Sequence, residues 1–310
     1  MIKIDLITGF LGSGKTTFIR KYADYLVKNN NKVCILENDF GAVNVDMLLL
    51  QDVMNENCDL EMISGACDKD CHKRRFKTKL ISMAMRGFDR VIIEPSGIYD
   101  VDEFFDVLRE DPVDKWYEIG NVIAIVNSCL EADLSKESEY LLVSQIANAG
   151  KVILSRCQQA DENMIKNTLT RLDKIMDEFH CVNDNKKDVL CKDWNDLTDD
   201  DLKDISQCGY SIGNCEKLWF DQNKAFTSQY FMNIRMSEEE LKEKVNKLMN
   251  DKSCGNIFRI KGFMLVGENK WIEVNATHKN ISIEPIEKGQ EVFIVIGENL
   301  NKDRIKSVIE

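Results

Sequence analysis

Over the first half of the chain, short apolar runs alternate with stretches of helical period. Ile2–Thr8, Lys32–Glu37, Arg90–Glu94, Val122–Asn127 and Lys151–Ser155 read as strands. Between and after them, Lys15–Asn29, Phe76–Arg86, Val101–Arg109, Leu134–Ala149 and Met164–Phe179 read as helices. Phe76, Leu80, Met83 and Ala84 share one helical face; Ile165, Leu169, Leu172 and Ile175 share another. Strands separated by helices predict βαβ units and a mainly parallel sheet covered on both faces.

The pattern breaks near residue 182. Residues 184–216 are polar and carry the acidic cluster Asp199, Asp200 and Asp201, so they read as a helical edge and linker. The last third has a different texture. Thr227–Arg235 reads as a strand, and Ser237–Asn250 as a helix with Ser237 as N-cap and Glu240 completing a capping box. Four strand-like runs follow at Ile257–Val266, Trp271–Ala276, Ile281–Pro285 and Val292–Ile296, and Asn301–Ile309 closes as a helix. The expected organisation is an α/β unit over 1–182, a linker or edge region over 183–222, and a smaller α+β unit over 223–310.

Composition adds limits. The 310 residues are 44% apolar, as in ordinary globular proteins. The net charge of −12 argues against nucleic acid and anionic membrane as partners. No apolar run approaches the ~18 residues of a membrane span. Met1–Leu6 carries an acidic residue and leads into a glycine loop, which reads as a first strand rather than a leader. The 11 cysteines are expected to be thiols in a reducing cytoplasm, mostly as small core side chains.

Gly9-Phe-Leu-Gly12-Ser13-Gly14-Lys15-Thr16-Thr17 has the spacing G-x-x-x-x-G-K-[ST] between a strand and a helix. The glycines let backbone N–H groups point inward around phosphates, and the helix N-terminus adds positive potential. Lys15 is expected on the β- and γ-phosphates and Thr16 on Mg²⁺. Glu37-Asn38-Asp39-Phe40-Gly41 and Val91-Ile-Ile-Glu94-Pro-Ser96-Gly97 each end a strand. Ligands of open α/β sheets bind at the carboxyl ends of strands. Glu94 is therefore a candidate for Mg²⁺ or its water shell, Gly97 N–H for the γ-phosphate, and Asp39 for the metal or the attacking water. Each acid also has a plain alternative as a turn or N-cap residue.

These segments resemble the CobW-like GTPases, kin of the urease and hydrogenase accessory GTPases. The matching pieces are TGFLGSGKTT at 8–17, ENDFGAVNVD at 37–46, IIEPSGIYD at 92–100 and SQIANAGKVILS at 144–155. IFRIKGF at 257–263 and VFIVIGENLNKDRI at 292–305 resemble the family's C-terminal domain. The resemblance implies a P-loop NTPase domain followed by a CobW-type α+β domain. It also implies slow GTP hydrolysis with Mg²⁺, delivery of a metal or cofactor to a client metalloprotein or corrinoid protein, and a nucleotide-dependent homodimer.

The chain departs from that family in three places. Where the family reads guanine with N-K-x-D, this chain has Ser155-Arg156-Cys157-Gln158. A carboxylate accepts two hydrogen bonds from guanine, whereas Gln158 offers one acceptor and one donor. Arg156 can stack on the base. Base selectivity is expected to be relaxed, extending to ATP. Where the family has C-x-C-C, this chain has Cys67-Asp68-Lys69-Asp70-Cys71-His72. On a helix Cys67 and Cys71 share one face. With Glu37, which matches the family's further ligand, they make most of a site for Zn²⁺ or Co²⁺, and Cys58 or His72 is the candidate fourth ligand. The alternative is a lost site with inert thiols. Finally, the chain has three histidines and no histidine tract, so metal storage is discounted. His180-Cys181 reads as an exposed helix end before a ligand pair. The basic run His72–Lys79 reads as a solvated helix face before a docking face for an acidic partner.

Three functions compete on these residues: an NTP-driven metallochaperone, a metal-free nucleotide-gated activator of a metalloenzyme or corrinoid protein, and a small-molecule P-loop kinase. No separate acceptor lid is legible, which disfavours the kinase.

Overall fold

The computed structural model describes residues 1–38, 50–63, 69–99, 101–130, 134–181, 188–213, 215–216, 218, 226–266, 270–278, 280–287 and 289–309. Asp39 and Cys67 lie outside the described residues. The chain divides into two compact units, Met1–Leu218 and Trp219–Glu310.

The first unit is built on a seven-stranded, all-parallel sheet in the order β3-β2-β4-β1-β5-β6-β7. Its strands are β1 (Ile2–Thr8), β2 (Val33–Asn38), β3 (Cys58–Ile63), β4 (Arg90–Pro95), β5 (Tyr117–Asn127), β6 (Lys151–Ser155) and β7 (Val189–Cys191). Strands covered on both faces read as continuous apolar runs. Accordingly β2, β4 and β6 are buried at every residue. Helix α1 (Lys15–Lys28) follows β1 and inserts Phe18, Ile19, Tyr22, Ala23 and Leu26 into a core shared with Ile7, Ile35, Ile92 and Ile123. The other helices of the unit among the described residues are α2 (Lys69–Ala84), α3 (Val101–Leu108), α4 (Lys136–Ala147), α5 (Glu162–Glu178) and α6 (Asp199–Ile205).

One polar cluster pins this core. The Asp5 carboxylate on β1 is fully buried, 2.7 Å from Arg90 Nη1 on β4. It also accepts from the Tyr22 hydroxyl at 2.8 Å and from the backbone and side-chain nitrogens of Asn121 at 2.9 Å. Arg90 and Asn121 donate in turn to Ser206 O just beyond α6. Burial pushes the Asp5 carboxyl up, and the Arg90 charge and these hydrogen bonds pull against it. Through these hydrogen bonds the cluster ties β1, α1, β4, β5 and the α6 end together.

Two strands go beyond the sequence expectation. β3 is an edge strand whose Asp59 and Glu61 pair with Arg86 and Lys79. Charged outward residues suit an exposed edge but interrupt the apolar signal. β7 is three residues long. Of the expected linker or edge region 183–222, the part up to Leu218 belongs to the first unit, and its described residues supply β7 and α6. Helix α2 begins seven residues ahead of the expected Phe76.

The second unit is a five-stranded antiparallel sheet, ordered β11-β10-β9-β12-β8. It comprises β8 (Phe226–Met232), β9 (Asn256–Val266), β10 (Lys270–Thr277), β11 (Asn280–Ile286) and β12 (Val292–Glu298). α7 (Glu238–Asn250) and α8 (Lys302–Ile309) set Leu241, Val245, Leu248, Ile305 and Val308 into a core with Ile260, Val274 and Phe293. The predicted capping box is present: Ser237 Oγ accepts from Glu240 N, and Glu240 Oε2 from Ser237 N. From Trp271 on, burial along β10 alternates, as expected of a sheet with one covered face.

Candidate functional site

The loop from Gly9 to Gly14 leaves β1 and enters α1 at the carboxyl edge of the sheet. Gly14 is the N-cap in the left-handed region (φ 98°), which lets the next N–H groups turn inward without steric cost. Lys15 is buried, and its Nζ donates to Gly9 O at 2.9 Å, folding the side chain back across the loop. Thr16 Oγ1 donates to Glu94 Oε1 at 2.8 Å, bringing two buried oxygens together from α1 and β4. Hydroxyl and carboxylate oxygens are the hard donors that Mg²⁺ takes. Thr8 Oγ1 at the end of β1 and Ser13 Oγ in the loop are buried without a hydrogen-bond partner. The pair and its polar surroundings therefore fit a hydrated Mg²⁺. Thr17, the next residue, has an exposed side chain and lines a separate cavity with Arg20, Asp52 and Cys58.

Gly97 closes on the same loop. A Cβ there would lie 2.7 Å from Leu11 N and 2.9 Å from Leu11 Cα, so only glycine allows this approach. Gln145 of α4 holds the Gly97 carbonyl through its Nε2 at 3.0 Å.

The base-reading candidates follow β6. Ser155 is buried, Arg156 takes a left-handed conformation (φ 59°), and Gln158 is exposed within the 3-10 turn Cys157–Gln159. Arg156 Nη2 donates to Gly12 O at 2.9 Å. The guanidinium, the candidate for stacking on a base, is thus tied to the phosphate loop. Trp194, just beyond β7, is a residue that sequence reasoning missed. Its ring lies 3.0 Å from where a Gly14 Cβ would stand and meets Phe18 edge-on at 5.9 Å. Its indole Nε1 is buried without a partner. A lone tryptophan in an otherwise polar stretch was the available signal.

The metal candidates are partly assembled. Glu37 is 2% exposed at the end of β2; its strand partners are Glu94 on β4 and Met62 on β3. Cys71 sits in the first turn of α2 and lines a cavity of about 570 Å³ with Met62, Ile63, Arg74 and Arg75. His72 is buried on the same helix. Cys58 does not join them. It pairs with Val33, four residues down the strand from the Met62–Glu37 level, or ~13 Å at ~3.3 Å per residue. Among the described residues no group of three or more His, Cys, Asp or Glu side chains stands ready to hold a metal. The basic run is largely absorbed within the unit: Lys73 and Lys77 meet Glu110 at 2.8 Å, and Lys79 meets Glu61 at 2.9 Å. Cys181 is disulfide-bonded to Cys215, which corrects the expectation that every cysteine is a thiol and removes it as a ligand beside the exposed His180. No described helix is long and apolar enough to cross a membrane.

A parallel sheet with a G-x-x-x-x-G-K-T loop between β1 and α1, and an acid on a neighbouring strand bonded to the loop threonine, defines a P-loop NTPase. The chain belongs to the CobW/HypB/UreG family. That nucleotide-binding domain matches residues 3–183, and the cobalamin synthesis protein cobW C-terminal domain matches 232–310. The chain is 30% identical over 157 residues to the zinc chaperone YeiR of Escherichia coli, covering 50% of this chain and 47% of the relative. It is 29% identical over 168 residues to the zinc chaperone YjiA of the same organism, covering 52% and 51%. It thus spans about half the length of the curated relatives it matches. The crystal structure of Zn(II)-bound YjiA GTPase from E. coli aligns over 99% of this chain and 97% of that one, at 18% identity and a TM-score of 0.40.

Proposed function

We propose that the protein hydrolyses GTP, with Mg²⁺, to control its hold on a thiophilic divalent metal destined for a client metalloprotein. The register pairing of Glu37 with Glu94 carries this reading. Glu94 meets the phosphate-loop Thr16, and Glu37 is the candidate metal ligand. One pair of adjacent strands therefore spans the nucleotide and the metal. Cys71 belongs to the same end of the sheet, since its cavity includes Met62, the β3 partner of Glu37. Cys67, Cys71 and Glu37 form the proposed ligand set, with Zn²⁺ or Co²⁺ as the metal that thiolates favour. The zinc chaperones among the relatives support the same choice.

At the nucleotide, Lys15 places its charge on the β- and γ-phosphates in place of the Gly9 carbonyl it holds here. Thr16 and Glu94 would hold Mg²⁺, which would supply neutralisation of charge on the phosphate oxygens. Gly97 brings its backbone to the loop, and Asp39 is the candidate to orient the attacking water. GTP is the main nucleotide, with ATP admitted through Gln158. The need for a nucleoside triphosphate supports a cytoplasmic location for this activity.

Cobalt titration of the reduced protein, with and without a non-hydrolysable GTP analogue, tests the proposal. Thiolate-to-cobalt charge transfer is expected in the wild type, with an affinity that depends on nucleotide, and is lost in the Cys67→Ala, Cys71→Ala double variant. Absence of the band in the wild type would overturn metal handling and leave the metal-free activator as the account.

A further inference from the structure

Two thiols meet beside the phosphate loop and have no part in the proposed metal site. Cys157 Sγ and Cys191 Sγ are 3.1 Å apart. A disulfide needs about 2.05 Å, so closing the bond requires an approach of roughly 1 Å. Cys157 opens the 3-10 turn that carries Gln158, while Cys191 ends β7 opposite Leu154 of β6. Each thiol is one to three residues from a contact with the loop. Arg156, directly before Cys157, donates to Gly12 O. Trp194, three residues after Cys191, packs on Gly14 and Phe18. The two sulfurs therefore join the two segments that grip the loop at Gly12 and at Gly14.

We propose that Cys157 and Cys191 are a reversible dithiol–disulfide pair whose closure clamps both segments onto the phosphate loop and tightens nucleotide binding. The oxidant is a low-molecular-weight disulfide. Cys191 is the exposed partner and reacts first. Its thiolate attacks one sulfur of the small disulfide, releasing one thiolate and leaving a mixed disulfide. Cys157 then loses its proton and attacks the Cys191 sulfur, releasing the second thiolate. The two protein sulfurs are oxidised by two electrons in all, the small disulfide is reduced to two thiols, and the protons pass to the departing thiolates. Burial first, then the hydrogen bond with Cys191, pushes the Cys157 thiol up to about 12, so the exposed Cys191 is the thiol that reacts first. Because linkage is reciprocal, bound nucleotide must favour the disulfide by the same factor by which the disulfide favours nucleotide.

The coupling rests on the assignment of residues 155–158 to the base edge of the nucleotide site; the thiol chemistry does not. The test uses the full chain treated with oxidised or reduced glutathione. Alkylation and peptide mass mapping distinguish a Cys157–Cys191 bridge from the Cys181–Cys215 bond. Affinity for GDP with a fluorescent ribose label is then measured for both forms. A mapped Cys157–Cys191 bridge, with affinity raised at least about fivefold and reversed by reduced glutathione, is expected. In Cys191→Ser and Cys157→Ser the affinity should not respond to the oxidant. Glutathione adducts on separate cysteines, or two free thiols, would overturn the pair. A bridge that leaves affinity unchanged would overturn the clamp. Failure of the reduced protein to bind labelled nucleotide at all would overturn both the base-edge assignment and the coupling, with the mass map still deciding the pair.

Discussion

Glu37 and Glu94 stand opposite each other on the adjacent parallel strands β2 and β4, and Glu94 accepts a hydrogen bond from Thr16 of the phosphate loop. Side chains directly opposite on neighbouring strands are close enough to interact. Glu37→Gln is therefore expected to lower cobalt affinity by about tenfold or more and to flatten its dependence on nucleotide, while nucleotide affinity stays close to wild type. Isothermal titration with cobalt, with and without nucleotide, checks this. Unchanged metal affinity would remove Glu37 from the ligand set.

Gly97 touches Leu11 as closely as its missing side chain allows. Gly97→Ala places a carbon 2.7 Å from a backbone nitrogen, so the phosphate loop or the β4 end must move. Overpacking of this kind costs about 1–3 kcal/mol. Felt at the site, that predicts a loss in nucleotide affinity of roughly 5- to 150-fold with far-ultraviolet circular dichroism unchanged. An affinity equal to wild type would show that the loop has slack that the structure does not indicate.

Base choice rests on an exposed amide. Gln158 presents one neutral acceptor oxygen where a carboxylate presents two charged ones, and Arg156 is held by the loop carbonyl of Gly12. Competition between GTP and ATP should therefore give a preference below about a thousandfold, or roughly 4 kcal/mol. Gln158→Asp should raise it. A larger preference in the wild type would mean that another group reads the base.

Arg90 and Asp5 form a buried ion pair. Removing one member of such a pair typically costs about 3–5 kcal/mol, because the other charge is left without compensation. Arg90→Ala should lower the denaturant midpoint accordingly while leaving the phosphate loop sequence intact. Arg90→Ala with Asp5→Leu should recover part of the loss. A midpoint shift below about 1 kcal/mol for the single variant would show that Tyr22 and Asn121 suffice to hold Asp5.

The α6 cap offers a pH test. The Lys192 ammonium, and then the Thr198 backbone and hydroxyl, lower the Asp201 carboxyl from its ordinary 3.8 to about 2. A depressed folded-state pKa stabilises above the unfolded value and loses that contribution as pH falls through the folded one. The stability difference between wild type and Asp201→Asn should hold steady above about pH 5 and shrink between about pH 4 and pH 2. A difference independent of pH across that window would contradict the assignment.

Much of the fold was legible because period and motif are local. The Gly9–Thr17 spacing, the apolar runs of β1, β4 and β6, and the Ser237–Glu240 cap each declare themselves within a few residues. β3 and β7 did not, since an edge strand carries charges and a three-residue strand has no period. Those residues acquire their strand geometry only from the neighbour they pair with.

The site divides along the same line. The sequence by itself determined the phosphate loop, the acids at the strand ends and the family, since each depends on residue type at short range. Only the tertiary structure decided that Thr16 meets Glu94, that Glu37 lies beside it, and that Cys58 lies too far down its strand to join a ligand set. It also decided that Arg156 and Trp194 grip the phosphate loop and that Cys157 meets Cys191. The bonded partners lie far apart along the chain, from 34 residues for Cys157 and Cys191 to 144 for Arg156 and Gly12. Their proximity follows from the register of parallel strands, in which each crossover carries a distant segment back to the same edge of the sheet.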